Sequence, residues 1–169
     1  MILGISGKAQ SGKDSVGQYL VEKYAFKRAA SADALKRIAR NIFTWNGQKD
    51  EAGRKFLQDL AMAVRGYDQD YWIRITLQEI QHQHVLNQVN NFVITDVRFL
   101  NEAKYLKAQG AILLRINRPG IALLDHVSET ELDDYNDFDF VIENNGTLKD
   151  LENDMSIIYK GLINEKESV

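Results

Sequence analysis

Cysteine is absent from this sequence of 169 residues. That excludes disulfides, and it also excludes a cysteine-coordinated zinc of the kind that braces the lid of some small enzymes. Stability has to come from packing. No apolar run approaches the roughly 20 residues that span a bilayer, and the N-terminus lacks the basic, apolar and small-residue succession of a secretory signal. The chain is therefore expected in the cytoplasm, without a membrane partner. An excess of either charge is missing as well: 21 Lys and Arg stand against 24 Asp and Glu, a formal net charge of -3. That balance gives no electrostatic reason for binding a nucleic acid polymer, so any nucleotide partner should be small. Proline occurs once, as Pro119 after Arg118. The length suits one domain that buries most of its apolar surface and is too short for two.

What the chain does contain begins at its start. The apolar run Met1-Ile2-Leu3-Gly4-Ile5 leads into Gly7-Lys8-Ala9-Gln10-Ser11-Gly12-Lys13-Asp14-Ser15. Two glycines bracketing four residues and followed by lysine let the backbone wrap inward, so that successive N–H groups point at one anion. Lys13 then reaches the outer phosphates. Val16, Tyr19, Leu20 and Tyr24 recur at helical spacing after the loop, so the motif has the strand before it and the helix after it that it requires. Asp14 stands where a hydroxyl usually follows the lysine, and the hydroxyl comes one step later, on Ser15. A loop ending Gly-Lys-x-Ser resembles the nucleoside monophosphate kinase branch of P-loop proteins, in which the shifted hydroxyl contacts phosphate and magnesium.

Apolar strands alternate with helical periodicity along the length. This predicts an α/β fold, a mainly parallel five-stranded sheet flanked by helices on both faces. The strands are expected at Ile2 to Ile5, Phe26 to Ala30, Phe92 to Thr95, Ala111 to Ile116 and Phe138 to Ile142. Gly66 reads as the stop of a helix that begins near Arg54, and Gly110 as the stop of one running from Leu100 to Gln109.

Several polar residues fall where chemistry could use them. Asp96 ends the run Phe92-Val93-Ile94-Thr95, which puts its carboxylate at the carboxyl edge of a central strand, beside the phosphate loop and in place to back a magnesium ion. Arg98 follows at two residues, and Asn101 and Glu102 open the next helix. Arg54, Gln58 and Arg65 fall within roughly 40° of one another around their helix, beside the apolar stripe of Leu57, Leu60 and Val64. Two cations and an amide facing one way suit a nucleotide's phosphate and base, and equally a solvated helix flank. Asp33 either caps the helix that follows or orients an acceptor, with Lys36, Arg37 or Arg40 as nearby positive charge. Ser128 reads as a helix cap, with Glu131 completing a capping box. His126 and Glu129 are further polar candidates. The acidic stretch between Arg118 and Phe138 could form a lid; of the two arginines available to a transferring phosphoryl group, Arg115 sits within a strand, which leaves Arg118 as the better candidate. Asn144-Asn145-Gly146-Thr147 offers backbone groups at the same sheet edge, or is an ordinary turn with Thr147 as cap.

Taken together, these segments resemble the deoxynucleoside monophosphate kinases of bacteriophages over nearly the whole chain. The resemblance is carried by Gly7 to Ser15, Ser31-Ala32-Asp33-Ala34-Leu35-Lys36, Gly53 to Gln58 with Arg65 and Trp72, Ile94 to Ala103, Arg118-Pro119, His126-Val127-Ser128-Glu129 and Asn144 to Thr147. Leu100 stands where relatives tend to have proline. The resemblance implies a single P-loop kinase domain over residues 1–169, with acceptor-binding helices at about 33–84 and a lid-like segment at about 117–137. It implies ATP with magnesium as donor, a deoxynucleoside 5′-monophosphate as acceptor, a homodimer, and a role in supplying DNA precursors. The donor would lie on Gly7, Ala9, Ser11, Gly12, Lys13, Asp14 and Ser15, bordered by Asn145 and Gly146. Ser15 and Asp96 would hold the metal. The acceptor would meet Asp33, Lys36, Arg54, Gln58, Arg65, Trp72, Asp96, Arg98 and Glu129, and catalysis would draw on Lys13, Asp33, Arg98 and Arg118.

Two other readings compete. A P-loop kinase of an alcohol, similar to the dephospho-coenzyme A kinases, would use Asp33 as a base. A nucleotide-binding regulator would have no use for a second cationic set.

Overall fold

The computed structural model describes residues 1–121 and 127–167. Its elements follow one another as β1 (Ile2–Ser6), α1 (Lys13–Tyr24), β2 (Lys27–Ala29), α2 (Ser31–Phe43), α3 (Glu51–Tyr67), α4 (Tyr71–Asn87), β3 (Phe92–Val97), α5 (Leu100–Ala108), β4 (Ile112–Asn117), α6 (Val127–Thr130), β5 (Phe140–Glu143) and α7 (Leu148–Glu167). All five expected strands are present. They form one parallel sheet in the order β2-β3-β1-β4-β5, with Leu3 beside both Val93 and Ile112.

The strands read as continuous apolar runs because helices cover both faces. Leu3, Ile5, Val93, Leu114 and Ile116 turn to one side, where Val16 and Leu20 of α1 and Leu151 and Met155 of α7 meet them. Phe92, Ile94, Val97 and Leu113 turn to the other, against Ile73 and Ile80 of α4 and Ala103 and Leu106 of α5. Each such Leu or Ile, fully buried, contributes about 2 kcal/mol relative to exposure. This two-sided packing fixes the strand register, since a slip by one residue would exchange the two faces. Because β1 lies between β3 and β4, the chain leaves β1 toward one edge and later crosses to the other. The crevice outside the carboxyl ends of β1, β3 and β4 is the topological switch point where open α/β sheets bind ligands.

Helix boundaries depart from the sequence expectation in three places. The third helix starts at Glu51, where the Asp50 carboxylate accepts from the Gly53 N–H at 2.7 Å, and it runs through Gly66 to Tyr67. Gly66 is an interior residue and not a stop; Gly110, with φ of +73°, does follow α5 as expected. Asp33 does not cap α2, whose cap is Ala30; its carboxylate lies in the first turn and pairs with Arg28 at 2.9 Å and Lys36 at 3.5 Å. Ser128 sits inside the single turn of α6, and Glu131 accepts from the Leu100 N–H at 2.9 Å instead of closing a capping box. Thr147 does cap the last helix, exchanging hydrogen bonds with Asp150. Among the described residues no helix is long and apolar enough to cross a membrane.

Candidate active site

Four segments meet at the carboxyl edge of the sheet: the loop after β1, Arg98 after β3, Arg118 after β4 and Asn144 after β5. The loop after β1 has the wrapped form its glycines allow. Gly12 lies at φ of +104° and opens α1, and the Ser11 N–H donates to the Lys8 carbonyl at 3.1 Å. The buried Lys13 ammonium donates to that same carbonyl at 3.1 Å. Burial, then the nearby Arg98, hold Lys13 below the ordinary lysine value, against the pull of Asp14, Glu129 and Asp96. A cation kept short of its own countercharge is well suited to a polyanion. Asp14 and Ser15 are exposed on the first turn of α1.

Asp96 lies in β3, one residue before its end, and its two carboxylate oxygens accept from the Ser31 N–H at 3.2 Å and the Ala32 N–H at 3.0 Å. It thereby fixes the first turn of α2 to the sheet edge. Burial pushes its carboxyl up, while the two amides and Arg98 pull it down. Glu129 of α6 performs a second clasp. One oxygen accepts from the Ala9 N–H inside the loop at 2.7 Å, and the other pairs with the Arg98 guanidinium. Burial raises the Glu129 carboxyl, yet the Ala9 amide, Arg98 and Lys13 outweigh it and leave it below the ordinary glutamate value. A carboxylate thus occupies an amide and a guanidinium that suit an anion, and it ties the loop to the cation after β3.

Behind Arg98 stands Glu102, which the sequence marked only as a helix opener. Its carboxylate accepts from the Arg98 and Phe99 amides at 3.0 and 3.2 Å and pairs with Arg65 of α3 at 3.0 Å. Arg65 also donates to Asn101 at 2.7 Å and stacks on the Phe99 ring at 3.5 Å. The structure does not bring Arg54 to this point. Eleven residues of helix, about 16 Å along the axis, separate it from Arg65, and its Nε donates to the Lys49 carbonyl at 2.9 Å. Gln58 is exposed between them, Lys36 is held by Asp33, and Trp72 is buried with its indole N–H donated to the Ala61 carbonyl at 3.1 Å.

A family model described as deoxynucleotide monophosphate kinase matches the chain over residues 42–155. The chain belongs to this family. A putative deoxynucleotide monophosphate kinase of Acanthamoeba polyphaga mimivirus is 30% identical over 89% of the chain and 91% of that protein. The deoxynucleotide monophosphate kinase of Escherichia phage RB69 is 26% identical over 76% of the chain, which spans only 51% of that longer protein. Among solved structures, shikimate kinase from Aquifex aeolicus superposes with a TM-score of 0.58 at 16% identity, covering 96% of this chain and 98% of that one. Dephospho-CoA kinase from Campylobacter jejuni superposes with a TM-score of 0.56 at 12% identity, covering 95% and 96%. At those identities the likeness shows the P-loop kinase fold and nothing finer.

The kinase has a cavity of about 480 Å³ beside the phosphate loop, lined by Lys8, Asn117, Arg118, Pro119, Phe138 and Asn145 among others. Arg118 and Asn145 are exposed there, and Gly146, next in sequence, is exposed as well. Sequence reasoning missed its floor: Asp133 pairs with Lys8 at 2.9 Å and with the buried Arg115 at 2.7 Å, and Arg115 also reaches the Ser6 hydroxyl at 3.1 Å. The sequence placed Arg115 inside a strand, and the missing step was that a buried guanidinium there requires a carboxylate. His126 lies outside the described residues, as does part of the expected lid, residues 122–126.

Proposed function

We propose that this kinase transfers the γ-phosphate of ATP to a deoxynucleoside 5′-monophosphate and releases the diphosphate for DNA precursor synthesis, acting as a homodimer in the cytoplasm of its cell or host. The observation that carries the reading is the Glu129 clasp, which joins a loop amide of the donor side to Arg98 of the acceptor side through one carboxylate. Two anion sites that share a neighbour within hydrogen-bond reach are what an in-line transfer between two phosphates requires.

The chain's own groups suit the chemistry. An acceptor phosphate has a second pKa of about 6, so near neutral pH its attacking oxygen is already ionised and no general base is needed. Asp33, paired with Arg28 and Lys36, orients the acceptor and does not have to remove a proton. Lys13 and the loop amides of Ala9 and Gly12 offset donor charge, while Gly7 and the Ser11 N–H on the Lys8 carbonyl give the loop its turn and Asp14 continues into α1. The loop fits a phosphate chain: a Cβ on Gly12 would lie 2.7 Å from Leu151 Cδ2 and 2.9 Å from Asn144 Nδ2, so the backbone there is packed from behind by both side chains. Magnesium, when bound, neutralises charge between the phosphates; Ser15 is the side chain to hold it, with Asp96 behind. No cluster of three or more metal-ligating side chains exists among the described residues, which suits an ion whose remaining ligands are phosphate oxygens and water. Arg98 and Arg65 serve the acceptor phosphate, and Arg54, a separate cation further along α3, serves the acceptor away from that phosphate. Gln58 serves the acceptor's base, with Trp72 behind it holding α4 to α3 through the Ala61 carbonyl; Arg118 serves the transferring group, and Asn145 and Gly146 the donor base.

Crystals grown with a nonhydrolysable ATP analogue, magnesium and deoxyguanylate or thymidylate test the arrangement. The expected result is donor phosphates on the loop and acceptor phosphate on Arg98, with Glu129 displaced from the Ala9 amide. Donor alone in the loop, with no nucleotide beside Arg98, would contradict it.

A further inference from the structure

We infer that Asn144 is a positioning residue of the phosphate loop, whose carboxamide aims the Ser11–Gly12 peptide at the donor. The assignment rests on the reading of Gly7 to Ser15 as the donor phosphate site.

Asn144 follows β5 and is buried. Its backbone N–H donates to the Asn117 carbonyl at 2.7 Å, which fixes it to the end of β4, the neighbouring strand. Its side-chain Nδ2 donates to the Ser11 carbonyl at 2.9 Å, a contact between residues 133 apart in sequence. In a trans peptide the C=O and N–H vectors point in opposite directions. A donor that holds the Ser11 carbonyl on the convex side of the loop therefore turns the Gly12 N–H toward the concave side, where successive amides face an anion. The contact also occupies a carbonyl oxygen that would otherwise face that anion if the peptide flipped. Glycine at 12 makes such a flip easy, because with no Cβ both orientations of the preceding peptide are open to it. The strut removes that freedom.

The spacing is tight enough to be specific. Asn144 Nδ2 lies 2.9 Å from where a Cβ of Gly12 would stand, and Leu151 of α7 closes the other flank. Lys13 is the next residue, so a rotated Ser11–Gly12 peptide would also redirect the lysine at the start of α1. Asparagine suits the position because its amide donates and carries no charge. Aspartate has nearly the same shape but only acceptors, and would repel the Ser11 carbonyl.

The test compares Asn144→Asp and Asn144→Ala with the wild type. Binding of ADP and ATP is measured by calorimetry with magnesium present, and the KM of the acceptor by steady-state kinetics. The inference expects ADP and ATP to bind about ten-fold or more weakly in both variants, the scale of one hydrogen bond to a charged group, while the acceptor KM moves less than two-fold. Unchanged donor affinity in a folded variant would overturn it, and so would equal weakening of donor and acceptor, which marks a loss of structure. If neither variant folds, the wild-type amide spectrum decides. The Gly12 N–H resonance should move downfield on adding ADP, and a resonance that stays in place would overturn the assignment. Wild-type protein that binds no ADP would overturn the donor-loop reading itself.

Discussion

Gly12→Ala offers a measurement whose size can be worked out in advance. Gly12 has φ of +104°, and a Cβ placed on it would stand 2.7 Å from Leu151 Cδ2 and 2.9 Å from Asn144 Nδ2. The left-handed conformation alone costs an alanine about 1–2 kcal/mol. Pushing Leu151 out of its place adds roughly 1–3 kcal/mol of overpacking. If Asn144 yields instead, the buried Ser11 carbonyl loses its donor, at a similar cost. The combined expectation is about 2–5 kcal/mol. For a domain of this size that lowers Tm by roughly 4–20 °C, at about 2–4 °C per kcal/mol. Gly110→Ala is the control, because Gly110 also has positive φ, +73°, but no atom lies within 4 Å of its Cβ position. It should lose only the conformational share, about 1–2 kcal/mol. Thermal unfolding of the three proteins, with ADP titrated into each, makes the comparison. Equal destabilisation at both positions would refute the claim that the loop is packed from behind by Asn144 and Leu151.

Other consequences follow from the same contacts. Gly66→Ala should stabilise the protein by up to about 1 kcal/mol, since Gly66 lies inside α3 with open space around it; a loss measured by denaturant unfolding would mean that the helix stops there after all. Lys13→Ala should lower turnover by about two to three powers of ten with the fold intact, the cost of one positioned charge-stabilising donor; near-native kcat would remove Lys13 from the mechanism. Burial pushes the Glu102 carboxyl up to about 7 from an ordinary 4.5, so the native state holds a proton that the unfolded chain has released across that window. Its contribution to stability is therefore full below 4.5 and falls as pH rises through 7, by about 3 kcal/mol. Glu102→Gln should flatten that slope in unfolding curves taken across the range, and an unchanged slope would assign the titration to another group.

The strands were readable because a parallel sheet buried on both faces leaves uninterrupted apolar runs, and the phosphate loop because glycine spacing and the following lysine are local in sequence. What escaped was set by distant partners. Glu131 has the spacing of a capping box with Ser128, yet its carboxylate goes to the Leu100 amide, 31 residues away. Arg54 and Arg65 share a direction on α3, but helical angle says nothing of distance along the axis, and each takes a different partner. Gly66 looks like a stop because glycine after a helix and glycine inside one are the same letter; only the exposure of its surroundings tells them apart. Glu102 and Asn144 were marked only by their place in a helix start and a turn; their side-chain roles gave no local signal, since these rest on burial against Arg65 and Ser11.

The central claim is that phosphate passes from ATP to a nucleoside monophosphate between the loop and Arg98. Incubation of the protein with γ-labelled ATP, magnesium and each deoxynucleoside monophosphate in turn, with separation of the products, tests it most directly. Label should appear in at least one deoxynucleoside diphosphate, and the transfer should be lost in Lys13→Ala. Label that stays in ATP, or leaves only as inorganic phosphate, with every monophosphate offered would contradict the account.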